Sequence, residues 1–129
     1  MEQHLETHPL LRRVEKEGVI SKITSQFPST TAPHVVSIHS GCPVGESGIY
    51  EWYMYDPKLD SIISPLLFNF AGSEERNTLQ NAGLQPGDLF PPRSLYKELK
   101  TEHITSFVYQ SRDFTPSPVT ESAFEGTKV

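Results

Sequence analysis

The chain has 129 residues, of which 36% are hydrophobic, and carries a formal net charge of -5. This length provides one modest hydrophobic core, and the single cysteine, Cys42, excludes an intrachain disulfide. With 16 acidic against 11 basic residues, the composition disfavours a nucleic-acid partner, because phosphate binding needs a surplus of lysine and arginine. No apolar segment approaches the roughly 20 residues that cross a bilayer. We therefore expect a cytoplasmic protein with neither a nucleic-acid nor a membrane partner.

The first third of the chain is predicted to form one helix followed by two strands. Residues 8–17 carry an apolar stripe at helical spacing, and Gly18 is a suitable helix end. Apolar and polar residues then alternate from Val19 to Phe27, which predicts a half-buried strand. The run HVVSIHS at residues 34–40 predicts a second strand.

An aromatic segment at residues 49–70 contains the only tryptophan and three of the five tyrosines. Its alternation predicts a strand, and the turn sequence from Asp56 to Asp60 predicts a hairpin. Trp52 shares a predicted face with Met54, so we expect it to be largely buried. Aromatic residues on both faces would also permit a homodimer.

The second half is predicted to contain a helix at 73–83, a helix at 92–100 and a strand at 102–110. Together these elements predict an α+β fold, with an antiparallel sheet of about five strands and two to three short helices mainly on one face. Periodicity ends after this strand, and serine, threonine and proline become frequent. We therefore predict one domain at residues 1–112 and a flexible tail at 113–129.

Two histidines and the cysteine lie close together in the sequence, but their spacing does not favour a metal site. On a predicted strand, His34 and His39 point to opposite faces, and Cys42 follows in a loop. The sequence also has no loop typical of cofactor binding. We therefore predict neither a metal nor a cofactor.

The functional prediction rests on the aromatic sheet, since the sequence shows no combination of nucleophile, base and orienting group. The favoured interpretation is a non-catalytic binding or protein-interaction domain, whose partner is a protein or an apolar small molecule. The ligand would contact aromatic residues of two predicted strands, namely Tyr50, Trp52, Tyr53, Phe107 and Tyr109.

The alternative is a cofactor-free isomerase, cyclase or lyase with a pocket for an apolar small molecule. The sequence alone therefore leaves open whether the protein is an enzyme. In that case Glu51 and His103 would be the catalytic pair. A carboxyl group on the most apolar strand has a raised pKa when it is desolvated, and it can then transfer protons.

Overall fold

The computed structural model describes residues 7–128, which form an α+β fold with six α-helices and three strands. The helices are α1 Pro9–Glu17, α2 Thr31–Ser40, α3 Val44–Ser47, α4 Thr78–Asn81, α5 Leu95–Thr101 and α6 Pro118–Ala123. The strands are β1 Met54–Asp56, β2 Ser61–Ser64 and β3 Asn69–Phe70, and a short 3-10 helix lies at Pro86–Asp88.

The sheet is an antiparallel meander in the order β1-β2-β3, with Met54 opposite Ile63 and Ser64 opposite Asn69. The predicted hairpin is confirmed. The Asp56 carboxylate closes its turn by accepting hydrogen bonds from the backbone N–H groups of Lys58 (2.8 Å) and Leu59 (3.0 Å). The predicted sheet of about five strands is wrong, because the other segments with alternating residues do not join it.

The largest difference from the sequence prediction is α2, since residues 34–40 were expected to form a strand. Their β-branched side chains favour strands, but packing decides between the two structures. As a helix, this segment buries Ala32 and Val36, which are 0% and 5% exposed, against Ile49. Gly41 ends the helix in the left-handed conformation (φ 72°), which glycine adopts without strain.

Two further segments with alternating residues lie outside the sheet. Residues 19–26 have no regular structure, and Val19 and Ile23 are both 90% exposed. Within residues 102–110, Phe107 forms an isolated parallel bridge to Lys128. In these two segments, alternation of apolar and polar residues therefore did not identify a strand of the sheet.

The core has two clusters that share flanking residues. The first contains Ile63, Phe68, Leu79 and Val119, and the second surrounds α2. Met54 and Phe90 pack against both clusters and so connect the sheet to α2.

The segment after residue 112 packs against the rest of the molecule, unlike the flexible tail that its composition predicts. Ser117 caps α6 by accepting a hydrogen bond from the Thr120 backbone N–H (3.2 Å). Val119 and Phe124 are only 7% and 5% exposed. Two buried apolar residues and a capped helix attach this segment despite its content of serine, threonine and proline.

Candidate functional site

The candidate site is a mostly apolar cavity of about 220 Å³ between α2 and α6. Thr31, Val35 and His39, which are spaced four residues apart, form one wall from a single face of α2. The opposite wall comes from α6 and its C-terminal end, including Val119 and Phe124. The docked C-terminal segment therefore completes the cavity.

The N-terminus of α2 opens at one end of this cavity. Thr30 is the N-cap, but its side chain makes no capping hydrogen bond, and its buried Oγ1 has no partner among residues 7–128. Thr31, at the first helical position, is exposed and lines the cavity. The α2 amides without an acceptor in the helix are those of Thr31 and Ala32, because Pro33 has no N–H and the His34 N–H donates to Thr30 O (3.4 Å). The helix dipole is positive at this end. This end of the cavity is therefore suited to a phosphate group.

His39 lies toward the other end of α2, where Tyr96 and Phe124 surround it. Its Nδ1 lies 2.6 Å from the Tyr96 hydroxyl, and its ring meets the Phe124 ring edge-on at a centroid distance of 4.8 Å. Burial lowers the pKa of His39, so the neutral imidazole is favoured. In the tautomer with a proton on Nε2, the Tyr96 hydroxyl donates to Nδ1.

Thr31 and His39 belong to the same cavity but do not form a catalytic pair. Eight residues separate them along α2, which corresponds to about 12 Å along the helix axis. Direct proton transfer between their side chains would need a distance of about 3 Å. His39 therefore positions the aromatic wall, and Thr31 lies at the N-terminal end of α2.

Trp52 also lines this cavity, although it is half-buried rather than largely buried as the sequence predicted. Phe114 lies beside the same space and is 40% exposed. Flat aromatic side chains at the edge of an apolar cavity can stack on a ring system. The cavity therefore combines a surface for an apolar ring with an end suited to an anion.

The other predicted ligand contacts lie outside this cavity and stay predictions. They are exposed aromatic residues: Tyr50, Tyr53, Phe107 and Tyr109 are 45%, 51%, 59% and 94% exposed.

The predicted catalytic pair is not assembled around this cavity either. The Glu51 carboxylate accepts a hydrogen bond from the backbone N–H of Trp52 (2.7 Å). His103 lines a separate cavity, to which Glu51 does not contribute. A shared role for these two residues stays a prediction.

Sequence reasoning missed Thr31 as a candidate, because it lies in the run that ends the first predicted strand. It dismissed His39 as a metal ligand, because on the predicted strand at 34–40 its side chain points away from that of His34. A signal was present: two threonines precede the apolar run, and Pro33 follows in the position of a first helical turn.

Within residues 7–128, no three histidine, cysteine, aspartate or glutamate side chains are placed to hold a metal ion together. In the same range, no helix has both the length and the apolar character needed to cross a membrane.

Comparison with known proteins places the chain in a family. The model of the type I phosphodiesterase / nucleotide pyrophosphatase family matches residues 1–125, and the chain belongs to this family. The searches of curated proteins and of solved structures found no match.

Family membership corrects the functional prediction. A non-catalytic protein-interaction domain is the wrong class, because the family is named for enzymes that hydrolyse phosphodiester and pyrophosphate bonds. The alternative of an isomerase, cyclase or lyase is wrong for the same reason. The wrong secondary structure for α2 contributed to this error. A strand at residues 34–40 gave no candidate site, whereas the helix places its first residue, Thr31, in the wall of a cavity.

Proposed function

We propose that this protein hydrolyses phosphodiester or pyrophosphate bonds of nucleotides, with the reacting phosphate at the N-terminus of α2. The observation that carries the proposal is the position of Thr31, which is exposed in the first turn of α2 and lines the cavity. The family match supports the proposal, because the family is named for enzymes that act on phosphodiester and pyrophosphate bonds. The neighbouring Thr30 hydroxyl is a poorer candidate because its oxygen is buried.

The proposed reaction has two steps. First, Thr31 Oγ1 forms a bond to phosphorus, the phosphorus–oxygen bond to the leaving group breaks, and the hydroxyl proton passes to solvent while the leaving group takes up a proton. Water then attacks the phosphorus, which restores the threonine hydroxyl and releases the phosphate monoester. The amides of the first turn and the helix dipole stabilise the added negative charge.

The apolar part of the cavity supports a nucleotide as the substrate. A volume of about 220 Å³ accommodates one ring system rather than a complete dinucleotide. Trp52 offers a stacking face for a nucleobase, and Val35 lines the same cavity one turn along α2 from Thr31. The base would occupy the apolar part while its phosphate reaches the helix N-terminus.

The test is hydrolysis of the p-nitrophenyl ester of thymidine 5′-monophosphate, followed by release of p-nitrophenolate. We expect Thr31→Ala to lose at least about 100-fold in rate, because the nucleophile is removed, and Thr31→Ser to retain part of the activity. Thr24→Ala is the matched control, since Thr24 is exposed in the irregular segment before α2. Equal rates for Thr31→Ala and the wild-type protein, or no hydrolysis by the wild-type protein, would contradict the proposal.

A further inference from the structure

A second cavity, of about 430 Å³, lies between the C-terminal end of α5 and residues 126–128. It shares Lys100 and Gly126 with a neighbouring cavity of about 350 Å³. The larger one has as much polar as apolar lining. It involves none of the residues that line the cavity beside α2.

Backbone contacts hold this second cavity in shape. The Val108 N–H donates to Lys128 O (2.9 Å), and the Thr127 hydroxyl donates to Ser106 O (2.7 Å). Gly126 has a φ of +102°, and a Cβ there would lie 3.0 Å from the carbonyl oxygen of Tyr96. Only glycine therefore lets the C-terminal segment approach α5 so closely.

The charge around this cavity is opposite to that of the protein as a whole. Among residues 7–128, Lys100, His103 and Lys128 line it, and no aspartate or glutamate does. The neighbouring cavity has one carboxylate, Glu125, which forms an ion pair with Lys97. A chain with a net charge of -5 thus places two lysines beside one open cleft, where the Lys128 ammonium also lies over the Phe107 ring at 5.7 Å.

One hydroxyl group of this cavity adds a hydrogen-bond donor. Thr105 is exposed and lines the cavity together with the lysines. The Thr127 hydroxyl already donates to Ser106 O, and Ser106 Oγ is too deeply buried for a ligand in the cavity to reach it.

We propose that this cavity binds a polyphosphate group, either free pyrophosphate or the phosphates of a nucleoside triphosphate. Two ammonium groups and the Thr105 hydroxyl match the charge and the acceptor oxygens of such a group. The site is distinct from the N-terminus of α2 and does not depend on the function proposed there. It would let a polyphosphate bind without occupying the cavity beside α2.

Titration of the ¹⁵N-labelled protein with pyrophosphate, followed by NMR, tests the proposal. The amides of Gly126 and Thr127 report on this cavity, and those of Thr31 and Ala32 report on the α2 N-terminus. We expect saturable shifts at Gly126 and Thr127, which weaken in high salt. Shifts confined to Thr31 and Ala32, or an absence of shifts, would overturn the second site and leave the α2 proposal standing.

Variants and a second ligand make the test sharper. Lys100→Gln and Lys128→Gln should each weaken pyrophosphate binding about tenfold, because each removes a charged hydrogen bond. Lys58→Gln is the matched control, since it removes the same charge from the hairpin turn. Thr105→Val should weaken binding without loss of stability, because the Thr105 side chain is exposed and lines the cavity. Equal affinities of all four variants, or equal affinity for sulfate, would refute a built polyphosphate site. An adenosine triphosphate analogue with methylene bridges between its phosphates, which the activity proposed at α2 cannot hydrolyse, distinguishes the two sources. Shifts at Gly126 and Thr127 would assign the site to nucleoside triphosphates, and their absence would assign it to free pyrophosphate.

Discussion

Truncation of Phe124 tests whether the C-terminal segment completes the cavity beside α2. The side chain is 5% exposed and contacts the rings of His39 and Tyr96, with centroid distances of 4.8 and 6.0 Å. Removal of a buried phenylalanine ring costs about 3–5 kcal/mol in unfolding free energy, and each aromatic pair contributes about 0.5–1.5 kcal/mol of this. For a chain of this size, we expect Phe124→Ala to lower the melting temperature by about 10 °C or more.

Thermal and urea unfolding, followed by circular dichroism, measure this effect. Phe27→Ala is the matched control because it removes the same ring from a position that is 92% exposed. Its unfolding free energy should stay within about 0.5 kcal/mol of the wild-type value. If Phe124→Ala changed stability no more than Phe27→Ala does, the segment would not be packed as described, and the cavity would lack one wall.

Two further predictions concern His39 and the hairpin turn. Burial lowers the pKa of His39 below its ordinary 6.5, so the unfolded chain binds more protons and stability should decrease as pH falls below 6.5. Urea midpoints between pH 5 and 8 measure this slope, which His39→Gln should flatten; an unchanged slope would assign the effect to another group. Asp56→Ala should cost about 1–3 kcal/mol, because its carboxylate is buried and accepts two backbone hydrogen bonds. Asp60→Asn is the control in the same urea assay, because it removes the charge that accepts an exposed hydrogen bond from Tyr55 and keeps a residue suited to the left-handed backbone at this position (φ 48°); it should cost less than about 1 kcal/mol, and equal losses would contradict the role of Asp56.

The parts of the fold that depend on local signals could be predicted from the sequence. Helix α1 begins at Pro9 and ends before Gly18, as the apolar stripe indicates. The hairpin follows from the turn chemistry of Asp56, whose side chain is suited to bonding the amides two and three residues later. In both cases, the residues that direct the structure lie within a few positions of one another.

The parts that depend on distant contacts could not be predicted in this way. The α6 segment resembles a disordered tail in composition, and it becomes ordered because Val119 joins the first core cluster and Phe124 reaches α2 and α5. No local pattern indicates these partners. The same holds for the cavity between α5 and residues 126–128, since Lys100 and Lys128 are 28 residues apart in the sequence.

The assignment of α2 shows how one local choice changed the functional conclusion. With a period of two, the run from His34 to Ser40 reads as a strand, and its two histidines diverge. With a period of 3.6, Thr31, Val35 and His39 share one face, and the threonine stands where a helix binds anions. Pro33 favours the second interpretation, because proline lacks the N–H that a central strand needs and is tolerated in the first turn of a helix. Whether the sequence predicts a phosphate site therefore depends on whether Pro33 is taken as evidence for a helix.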